Sequence, residues 1–296
     1  MPAKRIVMNA APKVIINADD FGWSSAVNEA VLDAAENGVL TSTTIMANMP
    51  GFEEAVKGAL SIPKLGVGVH LNLLRGSPLC EPSRIPSIVG KDGHFHKANF
   101  GLWLRFSTGR IDPDHLEQEL TAQVKRTIEA GIRPTHLDSE KHMHIVFPAL
   151  WEIVCRIAKR FDIHRVRVAR EHLGLIPHLF IRSPRQYLKT LFIRQRSLSF
   201  AKIAIQHGLR FTDHFFGVTL AGQMTTDVYA SLFQKIPQGI TELMCHPGAR
   251  PANFQDIHCS RWLDQGRVTE YRALIDPKTK NALEESGIRL IHYGEI

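Results

Sequence analysis

The sequence predicts an α/β protein, an irregular (β/α) barrel of seven to eight strands. Short β-branched or apolar runs alternate with helical patterns along almost the whole chain, which argues for a parallel sheet. Seven or eight such units within 296 residues favour a closed or nearly closed barrel over an open sheet. Acids and histidines recur just past the ends of these runs, on the face where β/α folds place their chemistry.

The first strand, Val14-Ile15-Ile16, is apolar on both faces and runs into Asn17-Ala18-Asp19-Asp20-Phe21-Gly22. Gly22 permits a tight turn, and Ser24 and Ser25 can cap a helix whose apolar face is Val27, Ala30, Val31 and Ala34. Gly38 ends that helix, Thr41 to Met46 reads as a second strand, and a short helix covers about Phe52–Leu60. Leu65 to Leu71 is a third strand with His70 at its end. From Leu73 to about Ile111 the chain reads as one long Gly- and Pro-rich loop, of the kind that forms lids or binding surfaces. Asp112-Pro113 caps a helix with Leu116, Leu120, Val124 and Ile128 on one stripe, ended by Gly131. Pro134 to Asp138 is a fourth strand, about Pro148–Phe161 a helix, and His164–Val168 a fifth strand. Phe216–Leu220, Ile240–Cys245 and Ile288–His292 complete the strands, with helices at about Thr226–Lys235 and Pro277–Ser286.

A chain with 44% hydrophobic residues buries a sizeable core and is not disordered. We expect one domain over residues 1–296 with a basic helical insertion at about 171–212. Cys80, Cys155, Cys245 and Cys259 stand far apart, without zinc-knuckle or redox spacing, so free thiols in a reducing cytoplasm are expected. The first residues lack the apolar run of a signal peptide, and no segment is long enough to span a bilayer. The net charge of +7 is concentrated: ten Lys/Arg face Glu171 alone between Arg165 and Arg210. Basicity confined to one segment argues against a general nucleic-acid binder. The segment fits a surface helix with a solvated charged face. It equally fits an amphipathic element resting on anionic lipid, at the inner face of a membrane, or gripping a phosphate-bearing or lipid-linked substrate.

In a barrel, the strand-end residues converge on one mouth. Asp19 and Asp20 follow the first strand, His70 ends the third, Glu140, His142 and His144 follow the fourth, and His246 follows Cys245. Carboxylates and imidazoles gathered there are a ligand set for a divalent ion such as Zn²⁺, Mg²⁺ or Mn²⁺. His94, His96 and His258 stand away from strand ends and read as structural. No Gly-x-Ser-x-Gly or Cys–His signature offers a covalent route.

Four motifs carry a resemblance: Asn17-Ala18-Asp19-Asp20-Phe21-Gly22, Gly68-Val69-His70-Leu71, Thr135-His136-Leu137-Asp138-Ser139 with His142-Met143-His144, and Met244-Cys245-His246-Pro247. In this order they resemble the YdjC-like carbohydrate deacetylases, a family with chitooligosaccharide and hopanoid-associated branches. The resemblance implies a barrel related to polysaccharide-deacetylase-like folds and metal-dependent removal of acetyl from an N-acetylated sugar. It implies that Asp20 and His70 hold the metal, that Asp19 is the general base, and that His246 is an acid or orients one. The family's second metal histidine stands four residues after the His of Thr-His-Leu-Asp-Ser, where this chain has Glu140. Glu140 can ligate the same ions; otherwise His142 or His144 takes its place, or the chain binds without turnover. His142, His144, Asp138 and Arg167 are assigned to substrate contact or to support of the ligands.

Overall fold

A computed structural model describes residues 11–96, 100–173, 184–249 and 261–296. Its centre is β1, Lys13–Phe21, whose interior residues Val14, Ile15, Ile16 and Ala18 are completely buried. One edge of β1 pairs in parallel with β6, Ile240–Cys245. The other edge is shared. Val14 O accepts from Ile291 N beside β7 (Arg289–Leu290), while Ile16 O accepts from Thr41 N just before β2 (Ser42–Ile45). With β3 (Gly66–Leu71), β4 (Leu137–Ser139) and β5 (His214–Phe216), the sheet runs β4-β3-β2-β1-β6-β5, every pair parallel.

Helices cover the outer face, and several start at caps visible in the sequence. The Ser24 side chain accepts from Val27 N at the start of Ser25–Asn37. Asp112 accepts from Asp114 N at the start of Pro113–Glu129, and Asp276 from Lys278 N at the start of Pro277–Ser286. Strand alternation then sorts β1: Val14, Ile16 and Ala18 join the apolar cluster that holds Val27, Val31 and Ala34. Ile15 instead meets Ile291 and Tyr293 on the inner face, the face to which Asn17 and Asp19 also belong by parity.

The structure corrects the fifth strand. His164–Val168 forms no continuous strand: Val166 bridges Leu137, Arg165 bridges Arg210, and Glu171 bridges Phe215, each singly. Local bonds explain this, because Arg170 N donates to Val168 O and Glu171 N to Ala169 O, turning the chain out of any ladder. These bridges link β4 to β5 and close an irregular barrel. Among the described residues three α-helices escaped the sequence reading: Phe100–Ser107 inside the long loop, the short Met143–Val146, and Arg261–Ile275 before the last helix. The sixth strand falls at His214–Phe216, ahead of the expected Phe216–Leu220. Cys80, Cys155 and Cys245 are free thiols, while His258 and Cys259 lie outside the described residues.

Candidate active site

Adjacent residues of a regular strand point to opposite faces, so two neighbouring acids reach one cleft only if the strand is distorted. The β1–β2 register slips between Ala18 and Phe21, a bulge that falls on the two acids. Asp20 there adopts φ 69°, a left-handed conformation that costs a non-glycine residue about 1–2 kcal/mol. Past it, Gly22 N donates to Asn28 Oδ1 (2.8 Å), and Asn28 Nδ2 donates to Gly51 O, fixing the turn. Asp19 and Asp20 thereby line one cleft of about 90 Å³ together with His70, Arg75, Glu140, Lys141, His142, Lys189 and His246.

Behind the cleft, the barrel interior is ionic. Arg167, fully buried, grips Asp19 through Nη1 to Oδ2 (2.7 Å) and Nη2 to Oδ1 (2.6 Å). The same guanidinium reaches Asp138 (2.5 Å) and Glu242 (2.7 Å), and Tyr293 donates its hydroxyl to the far Glu242 oxygen. Burial alone would raise the pKa of Asp19, but Arg167 and then His70 outweigh it and hold the carboxyl far below its usual range. Glu242 keeps the opposite balance: burial exceeds the help from Arg167 and lifts it to about 7.

His70 shows a division of its two nitrogens. Nδ1 donates to Asp138 Oδ1 (2.7 Å), which leaves Nε2 turned to Asp20 Oδ1 at 3.5 Å. Burial would lower its pKa, but Asp138, with Asp19 and Asp20 behind it, raises it to about 9. Asp20 in turn is held by Arg267 on its second oxygen, and against burial that charge brings it down to about 2.

On the opposite wall, Lys141 (φ 50°) and His142 (φ 56°) also stand in the left-handed region. With Asp20 they are three of the four non-glycine residues so strained among the described residues, and strain of this kind gathers at functional sites. Arg75 Nε donates to Glu140 Oε1, while Glu140 Oε2 is buried with no partner. His142 Nδ1 is likewise buried and unpartnered; burial, then the charge of Arg167, keeps this ring neutral. His144 stands apart. Its Nε2 donates to Arg167 O (3.0 Å), so Nδ1 is the acceptor for the Ser139 hydroxyl (2.6 Å), and neither nitrogen faces the cleft. His246 enters from the end of β6, its backbone N held by Glu270 (2.5 Å) and its Nδ1 free of hydrogen bonds.

The model of the YdjC-like protein family matches residues 13–285. The chain belongs to the YdjC-like family. A carbohydrate deacetylase of Geobacillus stearothermophilus is 35% identical over 287 residues, covering 95% of this chain and 97% of its own. A carbohydrate deacetylase of Brevibacillus brevis is 32% identical over 284 residues, covering 96% and 99%. Among solved structures, a protein of Enterococcus faecalis V583 described provisionally as a cellobiose-phosphate cleavage protein superposes with a TM-score of 0.72. At 24% identity, over 97% of this chain and 99% of that one, it supports the fold alone.

Two donor sets in this YdjC-like chain invite a cation. Asp19, His70 and Asp138 bring ligand atoms within 4.8 Å of one another, yet Arg167 and the His70 proton already occupy them. The cleft-facing groups Asp20 Oδ1, His70 Nε2 and Glu140 Oε2 could hold an ion instead, with the first two standing at ligand spacing. Two ligands of one tetrahedral ion at ~2.1 Å lie roughly 3.4 Å apart, close to the 3.5 Å between His70 Nε2 and Asp20 Oδ1. The partnerless Glu140 Oε2 is a buried acceptor with nothing else to accept. Asp138, bonded to His70 Nδ1, would then orient the histidine from behind, the usual support of a metal-binding imidazole. Arg167 does not itself line the cleft; its guanidinium reaches it only through Asp19, with Asp138 and Glu242 as its other carboxylate partners. Sequence reading missed Arg75, Arg267, Thr44, Glu242, Tyr293 and Glu270, which tie these groups down from strands, loops and helices without motif spacing.

Proposed function

We propose that this YdjC-like chain is a metal-dependent hydrolase that removes acetyl from an N-acetylated amino sugar. The carrying observation is the pairing of His70 Nε2 and Asp20 Oδ1 at ligand spacing in a cleft that Glu140, with its unpartnered Oε2, also lines. Its relatives' activity as carbohydrate deacetylases supports the same reading. A bound divalent ion supplies Lewis acidity there, polarising an amide carbonyl and lowering the pKa of water.

The chain's own residues divide the remaining work. Asp138 and Thr44 fix the His70 ring, so its Nε2 stays turned toward the cleft. Asp19 is assigned the general base that accepts the proton of the attacking water. The role requires Arg167, which grips both of its oxygens and holds its carboxyl far below the usual range, to release one of them in the reacting complex. His246 at the open side of the cleft protonates the departing amine, with Glu270 beneath it. Release of acetate from simple N-acetylated sugars by the metal-loaded protein, and its loss on chelation, is the expected result. Turnover that survives exhaustive chelation refutes the metal dependence.

A second reading keeps the site but not the turnover: a sugar- or metal-binding member without catalysis. Arg75 on Glu140 and Arg267 on Asp20 favour it, since each already neutralises a ligand carboxylate. Stoichiometric metal with no acetate released from any N-acetylated sugar tested separates it from the enzyme.

A further inference from the structure

The helix Pro184–Gln206 leaves a large apolar and cationic face uncovered. Leu188 is 65% exposed, Ile205 64%, Phe192 40% and Leu198 37%, half of the large apolar side chains that stand exposed among the described residues. Its opposite face is seated in the core through Ile193, Phe200 and Ala204, so the exposure is not that of a detached helix. Between the apolar residues stand Lys189, Arg194, Arg196 and Lys202, and the helix contains no Asp or Glu. Arg196 lies over the Phe192 ring at 5.4 Å, keeping the two together at the surface.

This face adjoins the cleft. Lys189, next to Leu188, lines the cleft itself. The helix packs on Met143–Val146, directly after Glu140–His142. On the other side of that turn, Phe106 stacks on Phe147 (4.0 Å), and its helix Phe100–Ser107 exposes Trp103 and Leu104. The surface beside the mouth is thus apolar and positively charged.

We propose that this face docks on an anionic lipid bilayer, bringing the cleft to the headgroup layer. Leucines and a phenylalanine flanked by Lys and Arg suit insertion at the acyl boundary with cations at headgroup level. No helix among the described residues is long and apolar enough to cross a membrane. Nucleic acid would match the charge but leave the apolar side chains in water. A second copy in an isologous contact would set the same cations against themselves.

Vesicle flotation of the full chain tests this, with phosphatidylcholine alone and with added phosphatidylglycerol. The protein is expected to float with the anionic vesicles only, and less as salt rises. Each cation removed, in Arg194→Gln and Arg196→Gln, should weaken binding roughly fivefold. Leu188→Ser with Phe192→Ser should abolish flotation while circular dichroism stays unchanged. The proposal is overturned if the wild type ignores anionic vesicles, or if the serine variant floats as well as the wild type. It is equally overturned if duplex DNA binds under conditions where vesicles do not, or if a stable dimer buries the face.

Discussion

Arg167→Met keeps an unbranched apolar stem and removes the guanidinium with its charge. In the wild type this one guanidinium serves Asp19, Asp138 and Glu242, all three buried. Removing one partner of a buried ion pair costs about 3–5 kcal/mol, because the other charge is left without compensation. With three carboxylates released at once, we expect the upper end, about 5 kcal/mol near neutral or alkaline pH. That is a large part of the 5–15 kcal/mol typical of a folded domain. The penalty should shrink in acid. Glu242 sits at about 7 in the fold against 4.5 when free, so its contribution is fully present below the lower value and lost as pH rises through 7. Without Arg167, the other two carboxyls also move upward, and mild acid then neutralises the cluster. Urea denaturation followed by circular dichroism at about pH 8 and pH 5.5 should show the deficit falling by roughly 2 kcal/mol. Arg167→Lys should recover only part of the loss, since an ammonium cannot fork across several acceptors. A methionine variant within ~1 kcal/mol of wild type at both pH values would show that the network is not held by this charge.

The cleft makes further demands. Asp20→Ala and His70→Ala should each remove most bound divalent ion while the far-UV spectrum stays native; elemental analysis showing full occupancy in both would defeat the ligand assignment. Asp19→Asn should lower kcat by roughly 10²–10⁴-fold with much less effect on metal content, and near-normal turnover would reduce Asp19 to a structural acid. Glu140→His should retain metal and Glu140→Ala should weaken it. If calorimetry instead finds Glu140→Ala unchanged and His142→Ala impaired, the neutral, unpartnered Nδ1 of His142 is the ligand.

How far the sequence could be read depended on where each signal was written. Helices opened by Asp-Pro, at Asp112 and Asp276, were placed to the residue at their starts because the cap and the fixed proline φ act locally. The ends of β1, β3 and β6 were visible as β-branched or apolar runs stopping at an acid or a histidine. Arg261–Ile275 was hidden because Gly266 interrupts its pattern. That glycine is required by packing, since a Cβ would come within 2.6 Å of the Gly222 backbone. With that helix unseen, the hold of Arg267 on Asp20 was unseen too. Arg75 was lost for a similar reason, lying in a loop whose path only the fold determines. The bulge that turns Asp19 and Asp20 to one side has no sequence marker of its own, because it arises from pairing with β2.

The three single bridges between β4 and β5 have a mechanical consequence. Among the described residues the named strands pair through ladders, whereas this seam is held by isolated bonds: Leu137 N to Arg165 O and Arg167 N to Leu137 O, Arg210 N to His164 O and Val166 N to Arg210 O, and His172 N to Phe215 O. Such a seam opens at a fraction of the cost of global unfolding, so its amides exchange with solvent well before those of β1. Arg165 straps the seam by donating to Gly294 O and Ile296 O, both at 2.8 Å. In chain order the cationic helix Pro184–Gln206 lies between Glu171 and Arg210, which belong to opposite sides of this seam. The seam carries Arg167, so opening it would also loosen the guanidinium that grips Asp19.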